Sequence, residues 1–233
     1  MRLRLTILTL AACVSACENT VPLRSATADS DVAAAPAAPT LLGDAERGKT
    51  RSAELYCDAC HGVNGNSETS VWPSLAGQNA RYLVRQMELL RAGARPSPEM
   101  QPIAATLSDE DIADLAAHYA AQVPIAPQEA PDETAKAGEA LYQKGDPARA
   151  LPACASCHGA SGEGNPATGD PAVRGQQPDY SILALEAYAN RTRYAQAKMT
   201  GPENENLNIM YEVASKLTPA EIRSVAAYMR IMR

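Results

Sequence analysis

The sequence predicts an all-α chain in which one small helical fold occurs twice. Three observations predict it. Cys57-Asp58-Ala59-Cys60-His61 returns as Cys154-Ala155-Ser156-Cys157-His158. Pro73-Ser74-Leu75-Ala76-Gly77-Gln78 returns as Pro171-Ala172-Val173-Arg174-Gly175-Gln176, and the helix start Leu107-Ser108-Asp109 returns as Leu217-Thr218-Pro219. The order is the same in both copies and no third copy follows, so this is a duplication and not an array.

The elements follow in chain order. Residues 1–16 read as a secretory signal: a basic start at Arg2 and Arg4, then an apolar run from Leu5 to Ala16 too short to span a membrane. Leu10-Ala11-Ala12-Cys13 and Val14-Ser15-Ala16-Cys17 both resemble the bacterial lipobox, and Cys17 leaves the longer apolar segment. That resemblance implies cleavage before Cys17 and diacylglycerol on its sulfur; ordinary cleavage after Ala26-Thr27-Ala28 is the alternative. Residues 17–43 are rich in Ala and Pro with no periodic apolar face, the composition of a disordered tether.

A first domain is expected over 44–123. It opens with a helix over 45–56 that runs into the first motif, followed by the turn-rich Gly62-Val63-Asn64-Gly65-Asn66 and a helix from about Asn79 to Ala92. Its last helix starts at Ser108, a natural N-cap, with Asp109, Glu110 and Asp111 facing the helix dipole favourably. Residues 124–131 form a proline-spaced linker, short enough for the two domains to pack together. The second domain, 132–233, repeats this order with an insertion at 145–152 and a longer loop over about 191–208. Its final helix carries the cap Thr218, Pro219 at the first helical position and Glu221 completing a capping box.

C-x-x-C-H is the attachment signal for c-type haem. Two thiols one helical turn apart add to the porphyrin vinyl groups, and the adjacent imidazole ligates the iron. Cys57, Cys60, Cys154 and Cys157 are thus the expected attachment points, with His61 and His158 as axial ligands. Of 6 Cys, the other two lie in the leader, so none remains for a structural disulfide. Only 3 His are present, which excludes bis-histidine ligation at both irons and cannot supply the fourth ligand that each Cys-Cys-His set would need for zinc twice. With 9 Tyr, 1 Trp and no Phe, two small domains would have thin cores, and a buried porphyrin in each supplies apolar bulk.

Net charge is −6; residues 44–123 carry 7 basic and 11 acidic side chains, and 132–233 carry 11 and 12. This balance argues against nucleic-acid binding, and its asymmetry gives a dipole able to orient docking.

Methionine is the usual sixth ligand of an electron-transfer cytochrome c. Of 7 Met, Met100 precedes Leu107 as Met210 precedes Leu217, so both occupy one point of the repeat, expected to be a loop or short turn. Met199 has no counterpart in the first copy and stays an alternative for the second iron. Met87, Met229 and Met232 sit in helices and read as core. His118, paired by the repeat with Tyr228, reads as a packing or hydrogen-bonding residue.

On both C-x-x-C-H motifs, both Pro-to-Gln segments, both methionines and the insertion, residues 44–233 resemble the di-haem class I cytochromes c, in particular the cytochrome c4 family. The resemblance implies two tandem class I cytochrome c domains, each around one covalently bound haem c. It also implies that the carbonyls of Pro73 and Pro171 accept hydrogen bonds from the ligating imidazoles. The implied function is single-electron transfer in the periplasm between redox proteins, with a quinol-oxidising complex or dehydrogenase as donor and a terminal oxidase as acceptor. The long tether and the lipid that the lipobox implies on Cys17, which would hold the protein at the membrane, depart from the simplest soluble members of the family. Two alternatives stand beside it: an enzyme with one open haem, reducing peroxide or oxidising a sulfur compound, and the electron-accepting subunit of a membrane dehydrogenase.

Overall fold

The computed structural model describes residues 43–127, 131–194 and 202–233. Among them the regular elements are all helical, with only two isolated antiparallel bridges, Asp146 to Leu151 and Asn165 to Asp170. Cys13, Cys17, the tether and Met199 lie outside the described residues.

The first repeat holds five helices: α1 (Ala45–Glu54), α2 (Asp58–His61), α3 (Ala80–Arg91), α4 (Met100–Ala104) and α5 (Asp109–Ala120). Local chemistry explains most of their limits. The Asp44 carboxylate caps α1 by accepting from the backbone N–H groups of Glu46 and Arg47. After α1, Tyr56 takes a left-handed φ of 55° and swings the chain into α2. Asn79 caps α3, and Ser108 with Asp111 forms a complete capping box on α5.

The second repeat holds α6 (Glu133–Lys144), α7 (Ala155–His158), α8 (Pro178–Ala189), α9 (Pro202–Ser215) and α10 (Pro219–Ile231). Thr218 and Glu221 box the start of α10. α9 begins inside the stretch for which the sequence predicts a loop to about residue 208. Pro202 starts the helix without losing a needed N–H, and the asparagine-rich first half carries no apolar signal. Its hold comes later, where Tyr211 and Ala214 are buried three residues apart on one face and Tyr211 packs with Leu89 and Tyr194. Met210 therefore sits within a helix and not at the end of a loop.

Each repeat is built on one helix crossing, α1 over α5 and α6 over α10. A glycine stands at each crossing. A Cβ on Gly48 would run into the carbonyl of Asp114, and one on Gly138 into the carbonyl of Ser224. Around the crossings lie two separate cores, one including Leu83, Val84, Ile112, Leu115 and Tyr119, the other Tyr142, Val225, Ala226, Met229 and Met232. The insertion forms a closed loop: the Arg149 guanidinium donates to Asp146, to the Lys216 carbonyl and to Glu221, while Lys216 Nζ donates to the Ala150 carbonyl. No helix among the described residues is long and apolar enough to cross a membrane.

Candidate functional site

The two motifs occupy matching single turns. α2 presents Cys57, Cys60 and His61, and α7 presents Cys154, Cys157 and His158. Each turn stops at a glycine with positive φ, Gly62 at 73° and Gly159 at 83°. At Gly62 the turn is also tight, since a Cβ would meet the Asn66 carbonyl. The four thiols are free of disulfides.

The imidazoles are held by their backbones. His61 Nδ1 lies 2.9 Å from the Pro73 carbonyl oxygen, and His158 Nδ1 lies 2.9 Å from that of Pro171. A carbonyl only accepts, so Nδ1 carries the proton and Nε2 keeps its lone pair. Burial pushes both imidazoles below the usual histidine range, partly opposed by the proline carbonyls, and the Arg95 charge adds to the lowering at His61. Each imidazole is thus neutral and oriented, with its Nε2 lone pair free to coordinate. Burial likewise raises the Cys57 thiol and pushes that of Cys154 up to about 11. Among the described residues, no three His, Cys, Asp or Glu side chains converge as they would to chelate a bare metal ion. Two free thiols on one turn beside an oriented imidazole suit attachment of a planar macrocycle whose iron takes the imidazole.

The core helices fix these turns in place. In the first repeat Ser52 Oγ and Tyr119 Oη meet at 2.6 Å, beside Cys57. In the second, Tyr142 Oη donates to the Gly159 carbonyl at 2.8 Å, directly behind His158.

Met100 is the first residue of α4, half-buried, with its N–H donating to Ser97 Oγ at 3.2 Å. Met210, also half-buried, lies in α9. The structure thus gives the two methionines unlike helical settings despite their equal spacing to Leu107 and Leu217. His118 is buried in α5, its ring 4.9 Å from that of Tyr119 and its Nδ1 3.4 Å from Gln122 Nε2.

A polar cluster between the repeats carries no motif in the sequence. Arg193, only 8% exposed, lies against the rings of Tyr188, Tyr180 and Tyr194, at 5.2, 5.8 and 5.7 Å from their centroids. Its Nη2 donates to Tyr180 Oη at 3.0 Å, and Arg95 of the first repeat donates to the same oxygen at 3.3 Å. Burial would raise the Tyr180 phenol, yet the two guanidinium charges and their hydrogen bonds outweigh it and bring it down to about 7. Gln86 joins the repeats again, accepting from Arg95 and from Tyr194 Oη, each at 2.9 Å. In the sequence Tyr180 falls four residues after Gln176 as Tyr82 does after Gln78, and that spacing is the trace the cluster leaves there.

Comparison with known proteins agrees with this geometry. The family model for cytochrome c matches residues 135–233, and that for cytochrome c oxidase, cbb3-type, subunit III matches residues 43–118. Cytochrome c4 of Thiocapsa roseopersicina is 36% identical over 195 residues, covering 83% of this chain and 95% of that protein. The crystal structure of reduced recombinant cytochrome c4 from Pseudomonas stutzeri superposes with a TM-score of 0.71 at 33% identity, covering 82% of this chain and all of that one. A thiosulfate dehydrogenase electron acceptor from Stutzerimonas stutzeri is 33% identical over 187 residues, covering 78% and 81% of the two chains.

Proposed function

This chain belongs to the cytochrome c4 family, a di-haem electron-transfer cytochrome with two covalently bound haem c groups, and from that premise we propose how its residues hold and use them. Cys57 and Cys60 attach one haem and Cys154 and Cys157 the other. His61 with Met100, and His158 with Met210, are the axial ligand pairs. The domains run over 44–123 and 132–233, tethered through 17–43 to a lipid on Cys17, and the protein works in the periplasm between a quinol-oxidising complex or dehydrogenase and a terminal oxidase.

When bound, each haem supplies a one-electron ferric/ferrous couple. The chain's own residues supply the rest. The Pro73 and Pro171 carbonyls keep each Nδ1 protonated and each Nε2 aimed, and burial keeps both imidazoles neutral. A ligand set that does not rearrange lets an electron enter and leave with little reorganisation. The observation that carries this reading is the twofold occurrence of the same imidazole-to-proline hydrogen bond beside two free thiols.

The test is the near-infrared sulfur-to-iron band of the oxidised protein. Met100→Ala and Met210→Ala should each remove about half of it. Retention of the full band in both variants overturns the methionine assignment, and its loss in Met199→Ala would move the second ligand there.

A second reading is favoured by the similarity to a thiosulfate dehydrogenase electron acceptor. In it the donor is a thiosulfate-oxidising enzyme, and this chain is its electron-accepting partner. Stopped-flow reduction by such an enzyme, set against reduction by a quinol-oxidising complex, separates the two. Carbon monoxide binding to one haem with turnover of a sulfur compound would instead make this chain itself the enzyme.

A further inference from the structure

The Pro-to-Gln segments do more than shape a turn in their own repeat. Gln176 Oε1 accepts from the Ser74 N–H at 2.8 Å, and Gln176 Nε2 donates to the Ser74 carbonyl at 3.0 Å. Reciprocally, Gln78 Oε1 accepts from the Ala172 N–H at 2.8 Å, and Gln78 Nε2 donates to the Ala172 carbonyl at 2.8 Å. Both glutamines are buried. Each amide therefore clamps both backbone groups of a single residue in the other repeat.

The residue clamped is the one that follows the histidine-holding proline. The Ser74 N–H and the Pro73 C=O belong to one planar peptide unit. Along that unit runs a continuous chain: His61 Nδ1–H to the Pro73 carbonyl, then the Ser74 N–H to Gln176 Oε1. The same chain in the second repeat runs from His158 through the Pro171–Ala172 peptide to Gln78 Oε1.

Resting on the histidine-ligand reading above, we propose that Gln78 and Gln176 are crosswise positioning residues. Each holds and polarises the peptide that orients the histidine of the opposite haem. An acceptor on the N–H of a peptide makes its carbonyl a better acceptor, and hydrogen bonds linked this way strengthen one another by about 10–30%. A stronger bond to Nδ1–H gives the imidazole more imidazolate character, which favours the ferric state. Removing Gln176 should therefore make the first haem easier to reduce, and removing Gln78 the second.

Loss of a direct partner of a metal-bound histidine typically costs about 10–100-fold in metal affinity or activity, and the same scale is applied to the preference of the iron for its ferric state. A contribution of 10–30% to that effect on a logarithmic scale gives about a twofold change in the ferric/ferrous equilibrium. At about 59 mV per tenfold for one electron, this is an upward shift of about 18 mV in one haem.

The experiment uses the full di-haem protein labelled with 15N-histidine, whose 3 imidazoles include His118 as an internal reference. Two quantities are read in Gln176→Ala and Gln78→Ala: solvent exchange of each Nδ1–H and the midpoint potential of each haem. Gln176→Ala removes both bonds that clamp Ser74 and weakens the His61–Pro73 bond without breaking it, so it should speed exchange at His61 about twofold and raise one potential with His158 unchanged. Gln78→Ala should do the reverse.

Tyr194→Phe removes another bond between the repeats, from Tyr194 Oη to Gln86. It should move neither histidine. An effect of each glutamine on its own repeat, an equal effect of Tyr194→Phe, or no change in exchange or potential overturns the proposal. If Gln176→Ala fails to fold, Gln176→Met, which keeps the length of the side chain and loses both the acceptor toward Ser74 N–H and the donor toward its carbonyl, serves in its place. Absence of hyperfine shifts at His61 and His158 in the oxidised parent protein would sink the ligand reading itself, a separate outcome from silence in the glutamine variants.

Discussion

Replacing Gly138 with alanine sets two known effects against each other. In an exposed helix interior the change gains about 1 kcal/mol, because alanine has the higher helix propensity. At Gly138 the new Cβ would instead point into the carbonyl carbon and oxygen of Ser224 and lie 2.9 Å from the Val225 nitrogen. All of these are backbone atoms, and no rotamer change can move them aside. α6 and α10 would have to part, and a gap of about 0.5–1 Å forfeits a quarter to a half of the dispersion across the seam. Tyr142, Val225, Ala226 and Met229 lie along that seam. Overpacking costs about 1–3 kcal/mol, and a clash of backbone with Cβ belongs at the upper end. Subtracting the propensity gain leaves a net loss of about 2 kcal/mol. For a chain of this size melting as one unit, that is a fall in Tm of about 4–8 °C. Thermal and urea unfolding of the haem-loaded protein, followed by far-ultraviolet circular dichroism, reads it directly. Gly48→Ala, which points at the Asp114 carbonyl, should behave alike. A rise in stability of about 1 kcal/mol in either variant would show that the crossing is not limited by the glycine, and would refute the reasoning.

Ser52→Ala should cost about 1–3 kcal/mol by urea unfolding, because it leaves the buried Tyr119 hydroxyl without its partner at 2.6 Å. The double variant Ser52→Ala/Tyr119→Phe should recover most of that loss, since both polar groups are then gone. Glu221 is held at about 2 by hydrogen bonds from Arg149 and from the Thr218 backbone, against 4.5 ordinarily. A carboxyl depressed in the folded state contributes stability that is complete above its unfolded pKa and is lost as pH falls through the folded one. Glu221→Gln should therefore flatten the stability profile of the parent protein between pH 4.5 and 2, as followed by acid unfolding.

The legible parts of this fold were those whose cause is local. Ser108 and Thr218 announce helix starts because a cap and its partner lie three residues apart. The motifs are legible for the same reason, with thiols and imidazole on one turn. What escaped has its cause in another element. Nothing near Gly48 or Gly138 explains a glycine there, since the reason is a carbonyl on the crossing helix. Gln78 and Gln176 were visible as repeated letters, but their partners are in the opposite repeat. Arg193 reads as an ordinary surface cation until three tyrosines close over it. α9 escaped because its first half is polar, and the burial of Tyr211 decides it. The repeat's register carried Met100 and Met210 to one place in the alignment without showing that α9 would be a longer helix than α4.

The closed insertion of the second repeat has a mechanical consequence. Behind α7, Tyr142 ties the end of the motif to the α6–α10 core. Ahead of it, Arg149 and Lys216 tie the approaching chain to the start of α10. The Cys154 turn is thus a beam supported at both ends, whereas the Cys57 turn rests on the core bearing the Ser52–Tyr119 bond and is approached from α1 through the left-handed Tyr56 with no closed loop ahead of it. A segment with two supports opens only when both yield, so its free energy of local opening approaches that of the whole domain. Backbone amides of 155–158 should accordingly outlast those of 58–61 in hydrogen exchange. The duplicated motif, with its two cysteines and its histidine in the same register, is held with unequal stiffness.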